Sequence, residues 1–253
     1  MKPKKTVFAV GAFTAGAFAA YKAARYAESV KKAVSSLPKD FTVTAHTGVN
    51  GTKANSFASL AAALSGTADI IETDLNFTEN GTPVLSHDKP VGDCVSLFDA
   101  LSFAAKYPEK RINIDVKSTE HLCLLPKIAT DTLTAESIFF TGIESEDVPT
   151  VKKDAPAFSY WLNGKPDKGR LKDREYLLSI VNEVKAAGAI GLNIKYTYAS
   201  KELVRIMHEN GLYVSLWTAN STGQMLRSLL TLPDNITTKK PERLRFIIAA
   251  FSK

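Results

Sequence analysis

Residues 68–75, with the sequence ADIIETDL, decide the fold of this chain. The segment is almost wholly apolar and is interrupted by the acidic pair Glu72 and Asp74. A short apolar run of this kind is typical of a strand buried on both faces, as in a parallel sheet covered by helices. Side chains at positions i and i+2 of a strand point to the same face. We therefore predict an α/β fold in which this strand presents two carboxylates together.

Strands and helices alternate on both sides of this segment. Further strands are predicted at 41–45, 111–116, 137–141, 157–162, 189–194, 213–218 and 235–238. Helical segments lie between most of them. Asn80–Gly81 is a tight-turn signal, so residues 82–86 are expected to double back briefly. Eight strands with helical connections predict a (β/α)8 TIM barrel with a short insertion after the second strand.

Ionisable residues end three consecutive predicted strands. His46 ends the first strand, the acidic pair ends the second, and Asp115 with Lys117 ends the third. The C-terminal ends of barrel strands form one rim, where active sites gather. Two carboxylates side by side in a protein interior require a cation, while His46 and His87 could act as general acid and base. These residues predict metal-assisted chemistry on an oxygen-rich substrate.

The order of these motifs resembles that of the glycerophosphodiester phosphodiesterase family. The family pattern runs HRG, ENT, ExD, HD and ExK, followed by WTxN and IxTxxP. This chain supplies WTAN at 217–220 and ITTKKP at 236–241 in the same order, so the resemblance covers residues 41–244. The chain departs from the pattern at Thr47 and Ala54, where the family has Arg and Glu. Asp115 is also a shorter carboxylate than the usual Glu.

The resemblance implies cleavage of a glycerophosphodiester, or of a related lipid-derived substrate, into an alcohol and glycerol 3-phosphate. One histidine would deprotonate the nucleophile and the other would protonate the leaving alkoxide. By position in the motifs, the implied catalytic residues are His46 and His87, and the implied ligands of Ca²⁺ or Mg²⁺ are Glu72, Asp74 and Asp115. The implied substrate-binding residues are Lys117, Trp217, Thr47 and Asp88.

Two other functions remain open at this stage. One is a phospholipase of the same barrel type that cleaves phospholipid headgroups. The other is a catalytically impaired module that binds glycerophosphodiesters, as the residues at Thr47 and Ala54 indicate. The remaining histidines, His121 and His208, lie in predicted helices and are expected to be solvated, while Lys195 ends a strand and could reach the site.

The N-terminal segment carries the whole net charge of the chain. Residues 1–40 contain eight Lys or Arg and two acidic residues, which accounts for the formal charge of +6. The remainder is neutral, which argues against nucleic-acid binding. Residues 6–21, TVFAVGAFTAGAFAAY, are uncharged. Basic residues beside an apolar run favour a membrane as a partner.

We therefore divide the chain into a membrane anchor or signal segment with a basic helical linker at 1–40, and a barrel domain at 41–253. The preferred expectation is a single-pass N-terminal helix with the catalytic domain outside the cytoplasm. The alternatives are secretion after cleavage at the AFA tripeptide of 17–19, or a helix that lies on the membrane surface. Cys94 and Cys123 fit no metal motif, and either two separate thiols or a disulfide is compatible with their spacing.

Overall fold

The structure is a computed structural model that describes residues 6–132 and 137–252, with side chains described from residue 17 onward. Nine strands occur in the described residues. They are β1 (Thr42–Ala45), β2 (Ile70–Phe77), β3 (Pro83–Leu85), β4 (Arg111–Val116), β5 (Ile138–Ile143), β6 (Ser159–Gly164), β7 (Gly191–Lys195), β8 (Tyr213–Trp217) and β9 (Asn235–Thr238).

Nine α-helices accompany the strands in the same part of the chain. They are α1 (Thr6–Ser35), α2 (Phe57–Leu64), α3 (Leu97–Ala104), α4 (Leu125–Thr132), α5 (Val148–Asp154), α6 (Arg174–Ala187), α7 (Lys201–Glu209), α8 (Thr222–Leu229) and α9 (Pro241–Phe251). Side-chain oxygens of Ser56, Ser96, Ser200 and Ser221 accept backbone N–H bonds at four helix starts. Such capping fixes where each helix begins.

Eight parallel strands close into a barrel. The order β1-β9-β8-β7-β6-β5-β4-β2 is closed by pairing of β1 with β2. The short strand β3 pairs antiparallel with the end of β2, through Leu75 opposite Leu85 and Phe77 opposite Pro83. The predicted (β/α)8 barrel and its insertion after the second strand are confirmed. The helices pack around the barrel and bury an apolar layer between helix and sheet.

The barrel interior carries a polar layer. Glu72 lies in register with Asn113, and Asn193 with Ser215, which in turn lies beside Asn235. All five residues are buried. Buried polar groups need hydrogen-bond partners, and here they meet them across neighbouring strands, as between Asn235 and Ser215 at 3.0 Å. The layer of the barrel interior directly beneath the C-terminal rim is therefore polar.

The last turns of the N-terminal helix α1 pack against the barrel. Val30 and Val34 of α1 are buried and share an apolar cluster with Val43, Leu244 and Ile247. Through this cluster α1 contacts α8 and α9. Within the described residues, no helix has both the length and the apolar character needed to cross a membrane. The proposed anchor falls partly outside those residues, since residues 1–5 and the side chains of 6–16 are not described. Cys94 and Cys123 are free thiols.

Candidate active site

The predicted acidic pair meets a third carboxylate at the C-terminal rim. Asp74 of β2 lies in register with Asp115 of β4. Because strand side chains alternate, Glu72 projects to the same side two residues earlier. One oxygen from each of Glu72, Asp74 and Asp115 lies within 4.8 Å of the others. The closed parallel sheet therefore assembles a three-carboxylate cluster from two adjacent strands.

Hydrogen bonds from loop residues orient this cluster. The side-chain amide of Asn55 donates to Asp74 Oδ2 at 2.8 Å, while its oxygen accepts from the Asp74 backbone N–H at 3.2 Å. The Thr47 N–H donates to Glu72 Oε2 at 2.7 Å, and the Thr141 hydroxyl donates to Asp115 Oδ1 at 2.9 Å. These hydrogen bonds fix the orientation of each carboxylate. Residues around a metal site usually orient the metal's ligands in this way.

Close packing also holds Asp115 in place. The register of β5 against β6 shifts between Phe140 and Ile143, and Gly142 in this irregularity has φ of +78°. A Cβ at position 142 would lie 2.4 Å from the backbone oxygen of Val116 and 2.7 Å from Asp115 Oδ1. Only glycine allows both this backbone conformation and this approach.

Lys117 lies between two of the three carboxylates. Its Nζ is 3.1 Å from Asp74 Oδ1 and 2.5 Å from Asp115 Oδ2. Burial lowers the pKa of Lys117, but Asp115 and Asp74 raise it more, so the net pKa lies above the ordinary value. Lys117 therefore stays charged and offsets part of the negative charge.

The remaining charge of the cluster suits a divalent cation. Burial, followed by the charges of Asp74 and Asp115, raises the pKa of Glu72 well above its usual range. Glu72 is 5 % exposed and Asp74 2 % exposed. Several buried carboxylates at this spacing repel one another unless a cation lies between them. Carboxylate oxygens are the ligands that Ca²⁺ and Mg²⁺ prefer, so the donor set fits such an ion.

His46 is oriented by the first loop of the rim. Its Nδ1 lies 2.8 Å from the Thr47 carbonyl and 3.7 Å from Glu72 Oε2. Since a carbonyl oxygen only accepts, Nδ1 carries a proton and Nε2 of the neutral ring has a free lone pair. Burial lowers the pKa of His46, and the positive charge of Lys239 contributes in the same direction. A neutral imidazole of this tautomer is able to act as a base.

His87 reaches the site from the insertion after β2. Its Nδ1 lies 2.9 Å from Asp88 Oδ1, and its side chain is 65 % exposed. The Ser86 N–H donates to the Asp74 carbonyl at 3.2 Å, which fixes the segment against the rim. His87 thereby lines the same cavity as the carboxylate cluster.

A cavity of about 190 Å³ brings these groups together. We call it the rim cavity. Of the residues expected from the sequence, it is lined by His46, His87, Glu72, Asp74, Asp115, Lys117 and Trp217. Thr47 and Asp88 do not line it. The Thr47 hydroxyl accepts instead from the Asn55 N–H at 2.6 Å, and the side chain of Asp88 is 94 % exposed.

Several polar residues of the rim cavity were not anticipated from the sequence. Asn113, Thr141, Asn163 and Asn193 also line it. The Asn193 amide donates to Asn163 Oδ1 at 2.8 Å, so the two are linked across β6 and β7. A polar residue at the inward position of an otherwise apolar strand, as in residues 191–195 (GLNIK), is the signal that could have identified them.

Trp217 ends β8 at the wall of the rim cavity. Its indole Nε1 is the one buried side-chain nitrogen or oxygen without a hydrogen-bond partner in the described part of the chain. Buried donors of this kind are uncommon in native proteins. The peptide bond from Trp217 to Thr218 is cis.

Comparison with known proteins agrees with the resemblance found in the sequence. Residues 46–102 match the model of the glycerophosphoryl diester phosphodiesterase family. This part of the chain contains His46, Glu72, Asp74 and His87. The chain is similar to glycerophosphodiester phosphodiesterases. No curated protein sequence matches it significantly.

Solved structures of such proteins share the barrel fold. A putative glycerophosphoryl diester phosphodiesterase from Silicibacter pomeroyi is 17 % identical, with a TM-score of 0.72 over 84 % of this chain and 94 % of the other. A glycerophosphodiester phosphodiesterase from Parabacteroides distasonis is 18 % identical, with a TM-score of 0.71 over 85 % and 99 %. A phosphodiesterase from Oleispira antarctica, in complex with the product sn-glycerol 3-phosphate, is 18 % identical, with a TM-score of 0.69 over 86 % and 99 %.

Proposed function

We propose that this chain is a metal-dependent phosphodiesterase that hydrolyses glycerophosphodiesters to an alcohol and glycerol 3-phosphate. The convergence of two histidines and three carboxylates on one cavity carries the proposal. The family match over residues 46–102 includes four of these five residues and supports the substrate class. The complex of the Oleispira antarctica phosphodiesterase with sn-glycerol 3-phosphate supports the same class.

The two histidines have different roles in the proposed reaction. His46, with Nδ1 bound to the Thr47 carbonyl, accepts a proton from the attacking oxygen through Nε2. His87, beside Asp88, donates a proton to the alcohol oxygen as its bond to phosphorus breaks. The net reaction consumes one water molecule. His46 then releases the proton that it gained to solvent and His87 takes one up from solvent, which returns both histidines to their starting protonation states. Positioned acid and base groups each contribute about 10²–10⁴-fold to such steps.

The carboxylates and the neighbouring lysine provide the charge for the phosphate. Glu72, Asp74 and Asp115 would hold Ca²⁺ or Mg²⁺, which when bound polarises the phosphate oxygens and offsets charge in the transition state. Lys117 adds a cation at the edge of this cluster. Trp217, which lines the rim cavity, would pack against the glycerol part of the substrate.

The test measures turnover of glycerophosphocholine by the full chain, with and without chelator. We expect activity that chelation abolishes and that added Ca²⁺ or Mg²⁺ restores. His46→Ala and His87→Ala should each lower kcat by about 10²–10⁴-fold. His208→Gln is the matched control, because His208 lies on α7 and does not line the rim cavity.

Three results would contradict the proposal. Full activity in excess chelator would remove the metal from the mechanism. Binding of glycerol 3-phosphate without turnover of any diester would indicate the non-catalytic binding module. Release of a headgroup only from vesicles of intact phospholipid would indicate the phospholipase.

We also propose that residues 1–40 hold the enzyme at a membrane. Their excess of basic residues and the uncharged run of 6–21 support this proposal. The full chain is expected in the membrane fraction, and a chain that begins at Tyr21 is expected in the soluble fraction. Recovery of the unprocessed full chain in the soluble fraction would contradict the tether, and a natural form that begins near residue 20 would indicate cleavage instead.

A further inference from the structure

One oxygen of each clustered carboxylate already has a hydrogen-bond donor. Asp74 Oδ2, Asp115 Oδ1 and Glu72 Oε2 each accept from an amide or hydroxyl group of the protein. Bonds of this kind orient carboxylates around a metal site. The oxygens that remain for a cation are therefore Asp74 Oδ1, Asp115 Oδ2 and Glu72 Oε1.

Lys117 already contacts two of these remaining oxygens. Its Nζ lies 3.1 Å from Asp74 Oδ1 and 2.5 Å from Asp115 Oδ2. In the described part of the chain, this leaves Glu72 Oε1 as the one oxygen of the cluster without a hydrogen-bond or ion-pair partner. Since Ca²⁺ and Mg²⁺ coordinate about six or more oxygens, such an ion also needs the two oxygens that Lys117 contacts.

The Lys117 ammonium and a divalent cation exclude each other at these two oxygens. An ion that coordinates Asp74 Oδ1 and Asp115 Oδ2 lies about 2.0–2.6 Å from each of them. The ammonium is itself within 3.1 Å of both. Asp74 is buried, so little water screens the repulsion between two such close positive charges. Coordination of both oxygens therefore requires the ammonium to leave them.

The side chain of Lys117 has room to move while its backbone stays fixed. The Lys117 N–H donates to the Leu75 carbonyl at 2.9 Å, which continues the pairing of β4 with β2. The residue lines the rim cavity and also a neighbouring cavity of about 290 Å³. A lysine has a flexible four-carbon stem, and its ammonium binds as a compact charge. The ammonium can therefore change partners within the rim without movement of the strand.

We propose that Lys117 competes with the divalent cation for Asp74 Oδ1 and Asp115 Oδ2, leaves both oxygens when the cation binds, and then contacts the substrate phosphate. The inference rests on the proposed function and adds an order of binding to it. Before the ion binds, the two carboxylates hold Lys117 away from the phosphate. After the ion binds, the same ammonium is available to the phosphate.

This exchange predicts that ion binding and phosphate binding strengthen each other through Lys117. A phosphate that holds the ammonium keeps it away from the carboxylates and so raises the affinity for the ion. By linkage, the ion raises the affinity for the phosphate by the same factor, which is typically about 5–150-fold. Direct contact between ion and phosphate adds to this factor, so the part that depends on Lys117 is measured by removing its charge.

Calorimetric titration of the full chain with Ca²⁺ and with Mg²⁺, in the presence and absence of sn-glycerol 3-phosphate, tests the exchange. Lys117→Met removes the competing charge and keeps a side chain of similar shape. Without glycerol 3-phosphate, the variant should bind the ion about 10–100-fold more tightly than the intact chain, because no hydrogen bond to a charged group has to be broken. The factor by which glycerol 3-phosphate strengthens ion binding should fall about tenfold in the variant.

A second lysine of the rim controls for general electrostatics. Lys195 ends β7, is exposed and does not line the rim cavity. Lys195→Met should leave the ion affinity within about twofold of that of the intact chain, and an increase equal to that of Lys117→Met would overturn the proposal. A lysine that contacts phosphate without leaving the carboxylates would give the same strengthening factor in Lys117→Met and in the intact chain, and this result would also overturn it.

Amine labelling follows Lys117 in the intact chain and needs no variant. Reductive methylation, read by mass spectrometry, measures how readily a reagent reaches each lysine Nζ. Labelling of Lys117 should be slow without an ion, several-fold faster with the ion, and slow again once glycerol 3-phosphate is added. Lys110, whose Nζ donates to the Gly66 and Ala68 carbonyls, is the internal reference and should label at one rate throughout. A labelling rate of Lys117 that the ion leaves unchanged would overturn the proposal.

These binding measurements separate failure of the exchange from failure of the proposed function, because neither depends on turnover. Tighter ion binding by Lys117→Met in a chain that hydrolyses no diester would support the exchange and contradict the proposed function alone. An intact chain that binds neither Ca²⁺ nor Mg²⁺ would overturn the exchange, whatever its hydrolytic activity.

Discussion

Asn55 connects the first loop of the barrel to the candidate metal site. Its side chain bonds both the carboxylate and the backbone N–H of Asp74, and its own N–H donates to the Thr47 hydroxyl. Asn55 has φ of +54°, a conformation that asparagine tolerates better than most residues. One residue therefore fixes the direction of Asp74 and the path of the loop that carries His46.

Replacement of Asn55 should weaken metal binding more than folding. Asn55→Ala removes the amide contacts to Asp74, and loss of such a supporting contact typically lowers metal affinity about 10–100-fold. Asn55→Gly is the control for backbone strain, because glycine adopts a positive φ freely. Calorimetric titration with Ca²⁺ or Mg²⁺ should show the same loss for both variants. Unchanged affinity in Asn55→Gly would show that the amide does not orient Asp74.

The acidic pair of the candidate site could be predicted from the sequence because its spacing is local. Glu72 and Asp74 are two residues apart in an apolar strand, and period-two alternation places them on one face. The contacts of Asn55 and Asn163 could not be obtained in this way. They depend on which strands and loops become neighbours when the barrel closes, and such contacts join residues that are distant in sequence.

At the scale of secondary structure, α1 precedes the barrel in sequence and also packs against it. Val30 and Val34 are 0 % and 7 % exposed. They cover Val43 of β1 and the apolar faces of Leu244 and Ile247 on α9. The charge and composition of residues 1–40 distinguish this segment from the rest of the chain. They do not reveal that the last turns of the segment bury barrel residues.

Removal of α1 should therefore destabilise the barrel. A chain that begins at Pro38 loses both valines and exposes the apolar cluster, which should cost about 2–4 kcal/mol at about 1.5–3 kcal/mol for each well-buried side chain, with partial relaxation. A chain that begins at Tyr21 keeps these contacts and should match the full chain. Thermal unfolding of the two shortened chains is the measurement, and equal melting temperatures would contradict the docking of α1.

A second prediction at the scale of secondary structure concerns the N-terminal ends of the strands, which lie at the end of the barrel opposite the rim. Asp234 precedes β9, accepts from the Val214 N–H at 2.7 Å and lies 2.8 Å from His208 Nε2. The hydrogen bond from His208 Nε2–H to the Asp234 carboxylate is the main reason why the pKa of His208 is raised. A raised folded-state pKa gives stability that is complete below about pH 6.5 and is lost as the pH rises through the folded-state value.

Because the His208 side chain is 35 % exposed, this stabilisation should be at most about 0.5 kcal/mol. Urea unfolding at about pH 5.5 and at about pH 8.5 measures it. The difference between the two pH values should be smaller in His208→Gln by that amount. An identical pH dependence in the variant would show that the pair with Asp234 does not contribute.

At the scale of the whole molecule, the proposed binding of a metal by the carboxylate cluster would be coupled to folding. Glu72 and Asp74 on β2 and Asp115 on β4 meet only when the strands are paired. An ion that binds the folded state alone adds about 2.7 kcal/mol at a concentration 100 times its dissociation constant. For a domain of this size each kcal/mol raises the melting temperature by about 2–4 °C.

Divalent cations should therefore raise the melting temperature by about 5–10 °C, and chelation should reverse the change. The double variant Glu72→Gln with Asp74→Asn lacks two of the ligands and should show no such increase. The measurement is thermal unfolding across a titration of Ca²⁺ and of Mg²⁺. A melting temperature that neither ion changes would argue against a cation among the three carboxylates.

The alternation of strands and helices made the topology predictable, because a parallel barrel leaves few other arrangements for eight such units. The cavity of about 620 Å³ beside the rim cavity was beyond that reasoning. Its wall combines a loop after β5, the helix α6 and the ends of β6, β7 and β8. No single stretch of sequence carries its signal, and its shape depends on how these segments pack.

The rim cavity and a larger cavity beside it, of about 620 Å³, draw only in part on the same segments of the chain. Both histidines and two of the clustered carboxylates lie within residues 46–102, whereas the three carboxylates and two tyrosines of the larger cavity lie between residues 144 and 198. Substitutions confined to these carboxylates and tyrosines leave the two histidines and the three clustered carboxylates unchanged. Random mutagenesis restricted to these five positions would therefore vary the wall of the larger cavity without altering any residue to which we assign bond breaking.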